Sequence, residues 1–327
     1  MTTYKEIRGS QIEAVATDPS NPVEGQVWYN TTSNVLKGQA ATTVGAWSSG
    51  GNMNTARNNM GGAGASNTSA LVFGGAPPGN PAPALTEFYD GSSWTEVNDL
   101  NTGRFGLAGD GIYTAAIAMG GGADPGQYYN KTETFNGTNW TEVNGMNTGR
   151  RYLTGAGSTT SALAIGGFAP PHTGVVESYN GTNWTEVADI SARSQLASAG
   201  TDNTAAIAAG GEPPSTGTTS AELWNGSNWT SVNAINSGRQ SLIGAGTSTD
   251  AIVFGGTSPT VGKTEQWNGT NWTEIADLAT ARHSVGGAGT TSSALAAGGE
   301  NASGTSITTT EEWTGAGAGV TRTFTDS

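Results

Sequence analysis

The chain of 327 residues contains no cysteine, which excludes disulfide bonds, cysteine-ligated zinc and thiol nucleophiles. Charge is scarce at 12% and leans acidic, with 13 Lys and Arg against 26 Asp and Glu, a formal net charge of −13. Such a surface repels phosphates at long range, so nucleic acid is not an expected partner, and the same holds for an anionic membrane surface. No stretch approaches the roughly 18 apolar residues of a membrane span, so no membrane insertion is expected. The first residues, MTTYKEIRGSQIEAVATDPS, lack the apolar core of a secretory signal, which predicts a product made in a cytoplasm and not exported by that route. Histidine is limited to His172 and His283, without metal-ligand spacing. Neither a metal nor a cofactor is expected.

Glycine, in contrast, is abundant: its 51 residues are more than double its usual share of about 7%. They are periodic. The nine residues Tyr179–Val187, YNGTNWTEV, recur closely at Phe135–Val143, Trp224–Val232 and Trp267–Ile275, and more loosely at Tyr89–Val97. Each reads as a β-hairpin, in which an aromatic ends one strand, Asn-Gly or Asp-Gly supplies the φ > 0 residues of a tight turn, and Trp-Thr-Glu-Val begins the return strand. A lone hairpin is not stable in water, so the copies must stack on one another.

Three landmarks set the period. Trp47, Trp94, Trp140, Trp184, Trp229 and Trp272 are spaced by 47, 46, 44, 45 and 43 residues. Arg57, Arg104, Arg150, Arg193, Arg239 and Arg282 follow each Trp by nine or ten residues. A glycine doublet closes a small apolar run at Gly74-Gly75, Gly120-Gly121, Gly166-Gly167, Gly210-Gly211, Gly255-Gly256 and Gly298-Gly299. This period with strand-like segments predicts a propeller of four-stranded antiparallel blades rather than a helical solenoid. Small residues in the first two strands suit the crowded centre, and aromatics in the outer two fill the widening gaps between blades.

The doublet, the aromatic after it and the Trp about 20 residues on resemble the kelch repeat, over roughly 57–315. The units are shorter than the usual kelch period of about 50. The wording TAR/TGR…GAG…GG…NGTNWTEV is also similar to kelch-like virion proteins of tailed bacteriophages, especially marine ones, and EGQVWYNTTSNVLKG in the leader resembles attachment segments of phage tail proteins. That resemblance implies a virion location and other virion structural proteins as partners.

Residues 1–40 are expected to form an attachment arm with a hairpin that exposes Val27, Trp28, Tyr29 and Leu36, and residues 41–327 a six-bladed propeller. Trp47 falls where the fourth strand of a preceding blade belongs, so residues 42–49 would complete the last blade and lock the two ends of the array together. The alternative is that Val320–Thr325, with Phe324 in the Trp role, supplies that strand, leaving Trp47 to an incomplete seventh blade.

In such blades the second-to-third strand loops and the blade-to-blade connections share one face. The loops at 76–83, 122–130, 168–174, 212–219, 257–262 and 300–309 diverge while the framework repeats, which is how a scaffold presents a binding surface. Tyr128, Tyr129, Phe168 and His172 are the candidate contacts there, since aromatic rings anchor interfaces. One Arg and one Glu per unit (Glu87, Glu133, Glu177, Glu222, Glu265, and Glu311 or Glu312) predict a structural ion pair in every blade. No catalytic residues are expected. Asp90-Gly91-Ser92-Ser93-Trp94 does not match a sialidase Asp box, and without cysteine a galactose-oxidase-like copper site cannot form. The expected function is adhesion without catalysis: a propeller fixed to a virion, in several copies, with a variable face toward a host-surface glycan or protein. A free bacterial lectin-like propeller is the alternative.

Overall fold

Strands and turns account for all regular structure in the computed structural model, which describes residues 12–19, 26–41, 44–77, 82–124, 126–316 and 319–324. The NGTN hairpins form as expected but with a different turn. Tyr179 pairs with Trp184, so four residues make the loop, and only Gly181 takes a positive φ, 89°. The Asn180 side chain does the rest, its Oδ1 accepting the N–H groups of Thr182 (3.0 Å) and Asn183 (2.9 Å). This Asx turn replaces the second left-handed residue that a two-residue turn would need. Across each hairpin the two aromatics pack, with ring centroids 4.9 Å apart in Tyr179–Trp184 and 5.5 Å in Trp47–Trp313.

The chain divides into two compact units, one of Ala46–Thr314 and one of Met1–Gly45 with Gly315–Ser327. The first unit holds six four-stranded antiparallel sheets. The first blade is Gly61–Ser66, Ser69–Phe73, Thr86–Tyr89 and Trp94–Val97. The second is Ala108–Ile112, Ala115–Met119, Thr132–Phe135 and Trp140–Val143, and the third Thr154–Ser158, Ser161–Ile165, Val176–Tyr179 and Trp184–Val187. The fourth is Ala197–Asp202, Ala205–Ala209, Ala221–Trp224 and Trp229–Val232, and the fifth Ile243–Gly246, Ala251–Phe254, Thr264–Trp267 and Trp272–Ile275. The sixth takes Gly286–Thr290, Ser293–Ala297 and Thr310–Thr314 from the end of the array and Ala46–Ser49 from its start, with Trp47 opposite Trp313. First strands touch in cyclic order, the sixth against the first, so the ring closes with six blades.

No single core fills this ring. Six apolar clusters lie one at each blade interface: Leu71 and Phe73 of the first blade pack with Ala116, Ala118 and Trp140 of the second, and Leu163 and Ile165 of the third with Ala206, Ala208 and Trp224 of the fourth. The glycine doublets follow from the same closeness. Gly166 has φ +58°, and a Cβ there would lie 2.6 Å from the carbonyl oxygen of Arg193 in the next blade. Only glycine combines that dihedral with that approach. The second glycine of each doublet then donates to the neighbouring blade's Arg carbonyl, as in Gly75 to Arg104, Gly167 to Arg193 and Gly299 to Arg57, all at 2.9 Å.

The smaller unit differs from the expected arm. Glu13–Val15, Val27–Asn30, Val35–Ala41 and Gly319–Phe324 form one sheet in that order, so the C-terminal strand joins the leader rather than the propeller. The hairpin therefore does not stand alone, and Trp28 is fully buried instead of exposed. Its Nε1 donates to Asp18 Oδ1 at 3.0 Å, and Asn30 Nδ2 does so at 2.7 Å. Lys37 Nζ lies 2.7 Å from the other carboxylate oxygen, and this pairing first, with Trp28 and Asn30 after it, holds Asp18 down at about 2. Val27 and Leu36 are half-buried, while Tyr29 and Phe324 stay exposed at 37% and 48%. Phe324 closes no blade.

One interblade bond varies in an informative way. The fourth-strand Trp donates Nε1–H to the Thr that opens the third strand of the preceding blade: Trp140 to Thr86 (3.1 Å), Trp184 to Thr132 (3.0 Å), Trp94 to Thr310 (3.0 Å) and Trp47 to Thr264 (3.0 Å). Trp229 and Trp272 face Val176 and Ala221 at that position, and their indole nitrogens are the two buried ones without a partner among the described residues. Thr132→Val, which orphans the Trp184 indole, is expected to cost about 1–3 kcal/mol. Val176→Thr, which gives Trp229 an acceptor, should raise the melting temperature. Thermal melts of the two variants check this, and no loss in Thr132→Val would show that the bond contributes nothing.

Candidate functional site: the variable face of the propeller

The six repeated arginines sit at the end of each blade-to-blade connection, just before the first strand. Each pairs with the Glu of its own third strand: Arg57–Glu87 (2.7 Å), Arg104–Glu133, Arg150–Glu177 (2.6 Å), Arg193–Glu222 (3.0 Å), Arg239–Glu265 (2.5 Å) and Arg282–Glu311 (2.6 Å). All twelve side chains are buried. Glu311, not Glu312, is the partner in the sixth blade, and Glu312 instead accepts from the Tyr89 hydroxyl. Burial pushes the guanidinium groups of Arg57, Arg150, Arg193 and Arg282 below their ordinary range, with the paired Glu opposing it. The carboxylates also bind the incoming connection, Glu177 accepting from the N–H of Asn147 at 2.6 Å and Glu265 from that of Asn236 at 2.6 Å. The arginines are thus structural.

Two residues beyond each Arg the backbone turns left-handed. Asn59, Tyr152, Gln195, Ser241 and Ser284 have φ of 54–56° and Gly106 63°. Such a conformation costs a non-glycine residue roughly 1–2 kcal/mol. It is offset by a second closed belt around the axis, in which each N–H donates to the carbonyl of the equivalent residue one blade back, from Gly106 to Asn59 (2.9 Å) through to Asn59 to Ser284 (2.8 Å). The backbone repeats and the side chains do not. The pairs following the arginines are Asn58-Asn59, Phe105-Gly106, Arg151-Tyr152, Ser194-Gln195, Gln240-Ser241 and His283-Ser284. The first of each pair bridges to the residue after a glycine doublet, Arg151 to Phe168 and Ser194 to Glu212 among them. Variable positions from two segments are therefore zipped together on one face. Sequence reasoning missed the pairs because they adjoin the most regular landmark; their variation beside an invariant Arg was the available signal.

The face is not uniform. Tyr128, Phe168 and His172 come together, with centroids 5.9 Å apart for Tyr128–Phe168 and 5.1 Å for Phe168–His172. His172 Nδ1 lies 3.0 Å from the Ser194 hydroxyl. Tyr129 stands outside the ring cluster, its hydroxyl donating to Gln127 Oε1 at 2.7 Å. At the centre lies Arg151, unanticipated from the sequence, whose guanidinium carbon is 5.0 Å from the ring centroid of Tyr152, 5.4 Å from Tyr128 and 5.6 Å from Phe105. Elsewhere on the face, Asn58 Nδ2 donates to Glu300 Oε2 at 2.9 Å, and His283 Nε2 lies 3.8 Å from Glu300 Oε1. Burial lowers His283 from the ordinary imidazole value against the pull of Glu300.

The axial channel carries one further departure from symmetry. Its wall is the Gly-Ala first strands, and it widens toward the first-to-second strand turns into a cavity of about 400 Å³. Ala63, Ala156, Ala199, Ala245 and Ala288 occupy equivalent register positions, and the second blade places Asp110 there. Desolvation pushes its carboxyl up to about 7, although the N–H groups of Gly111 and Gly157 bind it and pull the other way. AGDGI among GGAGA and TGAGS was visible in the sequence as an acid in a small-residue strand.

Two expectations follow from these charges. Arg150→Met leaves Glu177 buried without its cation and should cost about 3–5 kcal/mol. The double variant Arg150→Met/Glu177→Leu should recover much of that loss, so chemical denaturation of Arg150→Met, Glu177→Leu and the double variant must show non-additivity. For Asp110, the folded carboxyl keeps its proton up to about 7 whereas the unfolded one loses it near 3.8. The native state thus binds more protons across that window, so Asp110's contribution is best at low pH and declines as pH rises toward 7. Asp110→Asn removes the decline, and its melting temperature relative to wild type should be higher at pH 8 than at pH 5. A constant difference would mean that Asp110 ionises normally.

No family model matches this sequence, and no curated protein does. Among solved structures, that of YjhT aligns with a TM-score of 0.65 and 12% identity over 79% of this chain and 95% of that one. At that identity the likeness speaks for the fold alone, an all-β propeller built from repeated four-stranded sheets.

Proposed function

We propose that this protein is an adhesion propeller of a bacteriophage particle, of kelch type, which acts by binding and not by catalysis. The observation that carries the reading is the contrast on one face: six blades share backbone register, buried ion pairs and both hydrogen-bonded belts, while the residues after each Arg and after each glycine doublet differ from blade to blade. A scaffold kept so regular around positions so varied suits recognition. The blade carboxylates Glu87, Glu133, Glu177, Glu222, Glu265 and Glu311 are all engaged by arginines, which fits binding better than acid–base work. The particle location rests on the phage-like wording of the repeats and leader. In this reading the smaller unit docks on another virion protein, and the variable face meets a host-surface glycan or protein.

Two measurements test it. Mass spectrometry of purified particles of the encoding phage should find the chain, in several copies. Recombinant protein should bind host cells, and the double variant Tyr128→Ala/Phe168→Ala should lose about tenfold or more in affinity, as expected when central aromatic anchors are truncated. Absence from the particles would remove the virion role. Unchanged cell binding by the double variant would move recognition off this face.

A further inference from the structure

We infer that Arg151 anchors a binding site for a carboxylate-bearing sugar, of the uronic-acid type, on the variable face between the second and third blades. The inference rests on the reading of that face as the binding surface and adds the chemistry it selects.

Three observations converge on Arg151. Residues 46–314 contain seven Arg and two Lys. Eight of these nine have a carboxylate within 4.0 Å, and Arg151 alone among these described residues has none. In a chain of net charge −13, carboxylates are plentiful, and a cation without one at ion-pair distance is available to a ligand. Second, Phe105, Tyr128 and Tyr152 pack around the guanidinium. Aromatic faces stabilise its charge and hold its plane but offer no in-plane acceptor, so the N–H edge stays open for a fork-shaped oxyanion. Third, its Nε is buried and without a partner, as are those of Arg57, Arg104, Arg150 and Arg193, but those four guanidinium groups each hold a Glu through an Nη atom and that of Arg151 holds none among the described residues.

The surroundings narrow the ligand. The overall negative charge repels dense polyanions at long range, so recognition falls to a single carboxylate at close contact. Phe105, Tyr128, Tyr152 and Phe168 are half-buried. They present shallow ring faces that suit the C–H face of a pyranose, rather than a closed pocket for an apolar protein side chain. One carboxylate on the Arg151 fork and one sugar face on Tyr128 or Phe168 use both features together.

The test titrates the full-length chain with glucuronate, glucose and glucose 6-phosphate, followed by ligand-observed NMR. Glucuronate should bind more tightly than glucose, and Arg151→Gln should abolish that preference, a loss of about ten- to a hundredfold for a charged hydrogen bond. Arg151→Lys, which keeps the charge but not the fork, should restore only part. Thermal melts of both variants confirm folding. The inference is overturned by any of four results: no detectable glucuronate binding, equal affinity for glucose, a preference that survives in Arg151→Gln, or glucose 6-phosphate binding as well as glucuronate. A capped glutamate peptide that outcompetes glucuronate would assign the site to a protein partner and overturn it too. A lowered melting temperature in Arg151→Gln with unchanged binding would make the cluster a packing device. The two readings separate cleanly. Cell binding lost in Tyr128→Ala/Phe168→Ala but kept in Arg151→Gln leaves the face as the binding surface and removes the carboxylate.

Discussion

Everything in the larger unit depends on what surrounds the six buried arginines. Each guanidinium reaches the Glu of its own third strand, and that Glu also accepts N–H groups of the connection arriving from the previous blade. Each Arg carbonyl meanwhile accepts the N–H of a glycine doublet one blade back. A single residue type thus joins strand to strand within a blade and blade to blade around the ring. An unpaired charge in that position would cost several kcal/mol, and a paired one is only about neutral against a well-packed apolar substitute. The contribution is therefore one of geometry as much as of energy: the pair holds the backbone where the carbonyl belt can form.

That belt explains why variation is tolerated so close to an invariant residue. Positions one and two beyond each Arg are held by backbone hydrogen bonds, including the left-handed turn at Asn59, Tyr152, Gln195, Ser241 and Ser284. Their side chains add hydrogen bonds that differ from blade to blade, such as Asn58 to Glu300 and Gln240 to the Ser215 carbonyl, and the belt is common to all six. The scaffold accordingly accepts Asn, Phe, Arg, Ser, Gln or His at one position and anything from Gly to Tyr at the next. Between the second and third blades this freedom has gathered Phe105, Tyr128, Tyr152 and Phe168 near one unpaired cation, while the side bearing Asn58, His283 and Glu300 is a polar network. Asp110 breaks symmetry inside the channel in the same way, in a strand whose backbone pairing is indifferent to it.

The smaller unit follows a different logic. Its hairpin lacks the apolar area to stand alone, and it gains a third and a fourth strand from Glu13–Val15 and Gly319–Phe324. Asp18 collects donors from Trp28, Asn30 and Lys37, which fixes an otherwise irregular segment against the sheet. Trp28 becomes part of that unit's interior, and among the described residues Tyr29 and Phe324 are its large exposed rings.

What the sequence determined by itself was whatever repeats at fixed spacing. The hairpins and the four-strand blades could be read because side-chain patterning is local and recurred often enough to fix its phase, whereas six blades closed by Trp47 stood against seven until Trp47 was seen to pair with Trp313 and Phe324 with the leader. The Arg–Glu pairing was legible from equal stoichiometry alone. What only the tertiary structure decided was which non-repeating residues meet. Arg151 touches Tyr128 across 23 positions of chain and Phe105 across a blade boundary, and Asp110 meets Gly157 of the following blade. The pairing of Gly319–Phe324 with the leader was equally hidden, because edge strands carry no signal for their partner. Those contacts depend on how closure rotates each blade against the next, and no local propensity encodes that rotation.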